Sequence, residues 1–341
     1  MPTNEPILVT GAAGFIGYHV ARRLLAQGEF VVGIDNFDDY YDPALKKARV
    51  NELLAARHFC FEKMDLADRA ATASLFARHK SPYVVHLAAR PGVRGSILEP
   101  NAYVEANVVG FLNVLEGCRH NGCRHLLYAS SSSVYGANTR MPFRTSDNVD
   151  HPLSLYGATK KADELMAHAY AHLFALPATG LRFFTVYGPW GRPDMAMWLF
   201  ASAIMEERPI RLFNNGKIRR DFTYVDDVVE AVIRLVQGSP AGNSQWSGTA
   251  PDPATSSAPW RIYNVGNSRP VEVLHVVSLI EQAVGLKAIC ELLPMQPGDV
   301  LETCADVTDL EAKVGFSSKT SIEDGVPRFV SWLRDYRRQA S

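Results

Sequence analysis

The chain has 341 residues, 47% hydrophobic and 21% charged, with 35 Lys and Arg against 36 Asp and Glu. That length predicts a large α/β domain with a smaller second part rather than one minimal core, and the net charge of -1 leaves no global field to recruit nucleic acid or an anionic membrane. Five scattered cysteines (Cys60, Cys118, Cys123, Cys290, Cys304) lack paired C-x-x-C spacing, which argues against a disulfide framework or a metal site and for a reducing, cytoplasmic setting.

The first residues read straight into a strand with no charged-then-apolar leader, and no apolar run approaches the ~20 residues of a membrane span. Ile7 to Thr10 is a short apolar run ending at Gly11, and Phe15 to Ala26 then has helical periodicity closed by Gly28. Phe30 to Ile34, His58 to Phe61, Tyr83 to Leu87, Leu126 to Ala129 and Thr179 to Phe184 are further strand candidates. Helical patterns separate them, notably Asn101 to Arg119 and Tyr156 to Leu173. Apolar strands alternating with helices predict a Rossmann-type, doubly wound parallel sheet covered on both faces. After Phe184 the alternation breaks down. The Gly238 to Pro259 stretch, rich in Ser, Gly, Pro, Thr and Ala, reads as a mobile surface loop. Beyond it, Arg261 to Gly266 reads as a strand, and Val271 to Ala283 and Ser321 to Arg338 as helices. The division expected is residues 1–186 for a dinucleotide-binding domain, with some later segments returning to it, and 187–341 mainly for a smaller C-terminal α/β substrate lobe.

Gly11, Gly14, Phe15, Ile16 and Gly17 occupy a strand-to-helix turn, where glycine lets the backbone approach a pyrophosphate at the helix start. The spacing is G-x-x-G-x-x-G, a weak signal on its own. Asp35 strengthens it: it ends the next strand 18 residues after Gly17, where a carboxylate can accept from a ribose diol and repel a 2′-phosphate, favouring NAD over NADP. Asn36 follows it. Asp65 and Leu66 can flank the adenine, Leu87, Ala88 and Ala89 let the backbone pass close to the cofactor, and an inward-facing Asn107 can fix neighbouring backbone.

The run Ser130 to Ser133 ends a strand, and Tyr156-Gly157-Ala158-Thr159-Lys160 follows on a helix, where positions four apart are neighbours. A phenol titrates near ~10 in water, so it takes a proton near neutrality only when nearby positive charge stabilises its anion. Lys160 and the nicotinamide ring of NAD⁺ supply that charge beside Tyr156, and a serine hydroxyl can relay the proton. Hydroxyls stand where a dehydratase would carry an Asp-Glu pair, which disfavours net dehydration. In the second half, Arg192 and Arg220 can grip a carboxylate and a phosphate, and Phe213 with Asn214 to Gly216 can present a ring and amides to a base.

On these residues the chain resembles the extended short-chain dehydrogenase/reductase family, nucleotide-sugar epimerase branch. Asp35 to Asp42, Gly92-Val93-Arg94, Gly191 to Ala196 and Arg220 to Asp227 look like UDP-glucuronate 4-epimerases in particular. The resemblance implies a homodimeric isomerase that interconverts UDP-glucuronate and UDP-galacturonate and keeps its NAD⁺ between turnovers. It implies Tyr156, Lys160, Ser131 and Ser133 as the catalytic group, with Ser131 the nearest match for the proton relay. Arg94 falls in one of the matching segments and is taken as a substrate residue. Thr185 and Arg192 are placed at the sugar carboxylate, and Arg220, Gln296 and Asp299 at UDP. Two departures stand out. Gln296 occupies a position where UDP-galactose 4-epimerases tend to have arginine, and Arg90-Pro91 replaces the Gln-Ala often found before the Gly-Val-Arg segment. The alternatives are a UDP-galactose or UDP-N-acetylhexosamine 4-epimerase, a UDP-glucuronate decarboxylase, a 4-ketosugar reductase, and a non-enzymatic nucleotide-sensing protein on the same fold.

Overall fold

The structure is a computed structural model that describes residues 5–295 and 300–340. Chain order begins with strand β1 (Ile7–Thr10), helix α1 (Phe15–Ala26), β2 (Val31–Asp35), α2 (Pro43–Leu54), β3 (Phe59–Lys63), α3 (Arg69–His79) and β4 (Tyr83–His86). Most strand positions are branched or aromatic, and two of these three helices start at a capping side chain. Asp42 caps α2 by accepting from the Ala44 N–H, with Pro43 at the first helical position. Asp68 caps α3 through the Ala71 N–H.

α4 (Val93–Leu98) comes next, and the segment Asn101 to Arg119, predicted as one helix, is in three parts: α5 (Pro100–Tyr103) running through a π-helical stretch (Val104–Val109) into α6 (Gly110–His120). β5 (His125–Ser131) ends in a short 3₁₀ turn over Ser132–Tyr135, and α7 (Leu155–Phe174) begins at Ser154, whose hydroxyl accepts from the Gly157 N–H at 3.0 Å. β6 (Ala178–Phe183), β7 (Thr185–Tyr187), α8 (Ala196–Met205), β8 (Ile210–Phe213), β9 (Arg219–Tyr224), α9 (Val225–Val236), β10 (Trp260–Val265), β11 (Pro270–Glu272), α10 (Val273–Val284), β12 (Cys290–Leu293), α11 (Thr308–Val314) and α12 (Ile322–Ala340) complete the described elements.

Seven strands form one sheet in the order β10-β6-β5-β4-β1-β2-β3, with every pairing parallel. Parallel pairing demands long crossovers and helices on both faces. One face buries β-strand residues such as Val9 and Val85 with Tyr18, Val20 and Leu24 of α1 and Val228, Val232 and Leu235 of α9. The other buries Leu8, Val84 and Leu126 with Phe76, Phe111, Val114 and Ala167. The sheet is thus a doubly wound Rossmann-type sheet, and α9 and β10 return to it from late in the sequence. A separate cluster of Met197, Phe200, Ile204, Phe222, Ile280, Val326, Phe329 and Leu333 forms the core around β7, β9 and β11 and around β8 and β12.

The order reverses between β1 and β4, where crossovers leave in opposite directions and the carboxyl ends of the strands frame a crevice. The segment 238–259 departs from the expectation of a loop with little to bury. Ala254, Thr255, Ser256 and Ala258 are buried, the Ile262 N–H donates to the Ala254 carbonyl, and Thr255 forms an antiparallel bridge with Arg261. Its end covers the outer edge of β10, which would otherwise expose unpaired backbone groups.

Candidate active site

The crevice holds a cavity of about 510 Å³ running from the glycine turn to the start of α7. Gly11 has φ +69°, and a Cβ there would meet the Ala88 N at 2.7 Å. Gly17 is tighter, since its Cβ would lie 2.0 Å from the Gly11 carbonyl oxygen. The turn therefore closes only with glycine, and Gly14 at the N-cap of α1 makes no side-chain hydrogen bond to the first turn. Exposed backbone N–H groups at such a helix start favour an anion.

Asp35 is buried at the end of β2, accepts from the Phe37 N–H at 2.8 Å and lies 3.8 Å from the Lys46 ammonium. Burial raises its carboxyl above the ordinary range despite Lys46. Asn36 donates to Asp65 at 3.0 Å, joining the residues after β2 and β3, and Leu66 lines the same end of the cavity. Leu87, Ala88 and Ala89 form its floor, and the Ala88 N–H donates to Thr10 Oγ1. These residues fit an extended dinucleotide: a tight anion-binding turn, an acid for a ribose diol and an apolar floor lie in one continuous cleft.

Asn107 does not line the cavity. It is buried behind it, where its Oδ1 accepts from the Arg90 N–H at 2.7 Å and its Nδ2 donates to the Arg90 carbonyl and to Thr159 Oγ1, each at 3.1 Å. It holds the 88–91 backbone against α7, the fixing of neighbouring backbone expected of it. The π-helical stretch aims it there, a distortion that recurs at functional sites.

At the other end of the cleft stand Ser131, Ser133, Tyr156 and Lys160. Ser131 Oγ accepts from the Ser133 N–H, which shapes the turn after β5. Tyr156 is half-buried with its ring edge-on to Tyr103, whose hydroxyl donates to the Pro91 carbonyl. Lys160 is buried and donates to Asp163 at 3.0 Å. Burial pushes the Asp163 carboxyl up to about 7, against the opposing pull of Lys160. Beside it Glu164 accepts from Ser130 at 2.6 Å and from Arg182 at 2.8 and 2.9 Å. Burial would raise this carboxyl too, but the Arg182 guanidinium holds it below its usual value. Asp163, Glu164 and Arg182 were not singled out from sequence. Asp163 sits one turn beyond Lys160, and Arg182 is a charge inside an apolar strand, so a signal existed.

A second cavity, about 260 Å³, opens into the C-terminal lobe and is lined by Arg94, Phe213, Arg220, Arg211 and Met197 among others. The Arg94 guanidinium lies 5.1 Å from the Phe213 ring centroid, bridging α4 and β8. Arg220 Nη1 donates to the Arg219 carbonyl. Phe15, Thr185, Val186, Arg192 and Met195 line both cavities. Arg192 forms a forked pair with Asp194 at 3.0 and 2.5 Å, and the Tyr40 hydroxyl reaches the same carboxylate at 3.5 Å. Tyr40 and Asp194 fall within segments that carry the resemblance but were given no role from sequence. Gln296 and Asp299 lie outside the described residues. Among the described residues no cluster of His, Cys, Asp or Glu could hold a metal ion.

A glycine turn and acid at one end of a parallel sheet, with a Tyr-x-x-x-Lys helix beside a serine-rich strand end, define an enzyme of the extended short-chain dehydrogenase/reductase class. The profile of the NAD dependent epimerase/dehydratase family matches residues 7–247, and the chain belongs to that family. A probable UDP-glucuronate 4-epimerase of Rhizobium meliloti is 48% identical over 336 residues, covering 97% of this chain and 98% of that protein. The crystal structure of UDP-glucuronic acid 4-epimerase from Bacillus cereus with UDP-glucuronic acid and NAD matches with a TM-score of 0.84 at 31% identity, covering 97% of this chain and 99% of that one. A UDP-glucose 4-epimerase of Thermotoga maritima, solved with UDP-glucose, matches with the same TM-score at 28% identity and the same coverage. The fold alone therefore does not separate charged from neutral sugars.

Proposed function

We propose that this protein is an NAD-dependent isomerase that inverts C4 of UDP-glucuronate to give UDP-galacturonate. The observation that carries the reading is Arg192, a cation in the wall shared by the cofactor cleft and the C-terminal pocket. A sugar bridging the two would present its carboxylate there. Bound NAD supplies a hydride acceptor that is restored within each turnover, so no net redox change occurs. Tyr156 takes the O4 proton, Ser131 or Ser133 passes it, and Lys160 supplies positive charge beside the phenol. After hydride leaves C4, the 4-keto sugar turns in the pocket and accepts hydride on its opposite face.

The intermediate is a β-keto acid, prone to lose CO₂, so its carboxylate must be held throughout. Arg192, whose fork Asp194 orients, and Thr185 hold it; Arg94, Phe213, Arg220, Gln296 and Asp299 hold UDP. Residues 187–341 are then mainly the nucleotide-sugar lobe and 1–186 the cofactor domain. We further propose a cytoplasmic homodimer. All five cysteines are free, as a reducing compartment requires, and Val109, Leu112, Leu165 and Leu173 on α6, α7 and the adjoining π turn are exposed apolar residues.

The test is incubation with UDP-glucuronate and no added cofactor, followed by chromatography with mass detection. The expected result is a new peak of unchanged mass that co-elutes with UDP-galacturonate. A product lighter by CO₂ would make the protein a decarboxylase. No change even after NAD⁺ is added would overturn the uronate reading and direct the assay to neutral UDP-hexoses.

A further inference from the structure

Arg49 of α2 is fully buried, and all of its hydrogen bonds go to neutral oxygens. Its Nη1 donates to the Ala13 carbonyl at 2.8 Å and to the Tyr41 hydroxyl at 2.7 Å. Its Nη2 donates to the Trp190 carbonyl at 2.6 Å and the Gly191 carbonyl at 3.1 Å. A buried guanidinium that hydrogen-bonds carbonyls and a hydroxyl is costly to keep there, with Asp35 acting on it only at a distance. The segments it joins are specific. Ala13 lies inside the glycine turn, and Trp190 and Gly191 immediately precede Arg192.

The joined loop is strained at its centre. Trp190 has φ +61°, the left-handed region that a bulky aromatic residue avoids, and such a conformation persists only when its surroundings over-determine it. Here the surroundings do so. The indole packs 5.4 Å from Tyr18, 5.3 Å from Trp332 and 5.6 Å from Tyr336. His19, neutral because burial lowers it to about 3, contacts the preceding Pro189 carbonyl through Nε2 at 2.8 Å. Arg49 fixes the carbonyl of the strained residue itself and of the next.

We propose that Arg49 is a positioning residue for the carboxylate site. It ties the Trp190–Gly191 backbone to the glycine turn, so that Arg192 projects into the cleft at a set distance from the cofactor. This inference rests on the function proposed above. Because it acts through Arg192 and not through the Arg94, Phe213 and Arg220 pocket, its loss is felt by the sugar carboxylate and spares UDP.

The test uses NAD-loaded wild-type protein and the variants Arg49→Lys and Arg49→Gln, with calorimetric binding of UDP-glucuronate and of UDP, alongside product analysis. A loosened site lets the keto intermediate shed its carboxylate: the C5–C6 bond breaks, its electron pair enters an enolate with the C4 carbonyl, CO₂ leaves and solvent protonates C5. The hydride taken from C4 then returns to it with a proton on O4, leaving a pentose lighter by CO₂ alone. The expected result is UDP-glucuronate binding weakened about tenfold with UDP held within about twofold, together with a product lighter by CO₂. Lysine does not rescue, since a point charge cannot span both carbonyls. Equal weakening of both ligands, or no change in either, overturns the inference. If neither variant folds, Tyr41→Phe, which removes one acceptor from the same guanidinium, is expected to show the same selective loss in smaller measure, and an unselective loss there overturns it as well. A wild-type protein that leaves UDP-glucuronate unconverted overturns the functional reading and this inference with it. A converting wild type with unselective variants overturns the inference alone.

Discussion

Asp163 and Glu164 are consecutive on α7, both buried, and their proton affinities are driven in opposite directions. Glu164 meets the Arg182 fork and is held low, while Asp163 meets only the Lys160 ammonium and rises to about 7. The native state thus keeps a proton on Asp163 that the unfolded chain releases near ~3.9. Between those values the folded state binds more protons, so this group makes stability fall as pH rises through the window. Asp163→Asn should remove that part of the slope. Urea midpoints of the two proteins should therefore converge toward about pH 4 and separate toward about pH 8, with the variant the more stable at the higher value. That Tyr156, Lys160 and the serines share one end of the cleft was legible because the helix after a strand starts near that strand's end. Arg182 was not, because its partner sits 18 positions away on another element.

At the scale of elements, the glycine turn shows how little freedom the cofactor end has. A methyl at Gly17 would strike the Gly11 carbonyl, backbone against backbone, with no flexible side chain to give way. Gly17→Ala is expected to cost about 1–3 kcal/mol by overpacking and to purify with little bound NAD. Urea unfolding and the nucleotide absorbance of the purified protein check both, and a variant that keeps its full NAD would refute the role given to the turn. Strands and crossover helices were readable because uninterrupted apolar runs and 3.6-residue periodicity come directly from burial on a parallel sheet. The break of the Asn101 to Arg119 pattern into helix, π turn and helix was not, since a hydrogen-bond shift from i+4 to i+5 leaves the hydrophobic pattern nearly intact. The buried end of the 238–259 loop was equally hidden, because small Ala, Thr and Ser residues look like loop composition until a strand edge is found beneath them.

At the scale of the whole molecule, α6 and α7 pack side by side and turn Val109, Leu112, Leu165 and Leu173 outward. If these residues meet a second copy as proposed, Leu165→Asp should yield monomers, and sedimentation velocity reads the change directly. A variant that still sediments as a dimer would place the interface elsewhere. The π turn has a bearing on both ends of this arrangement. One α-helical residue advances the chain by about 100°, so the extra residue held in the 104–109 stretch sets the phase of α5 against that of α6. Asn107 points inward, to the Arg90 backbone and Thr159 behind the cleft, while Val109 and Leu112 are exposed. Evolution cannot remove that insertion to regularise the helix without rotating either Asn107 away from Arg90 and Thr159 or the exposed apolar face away from its present direction. The buried Asn107 and the exposed apolar face are locked to one angular register.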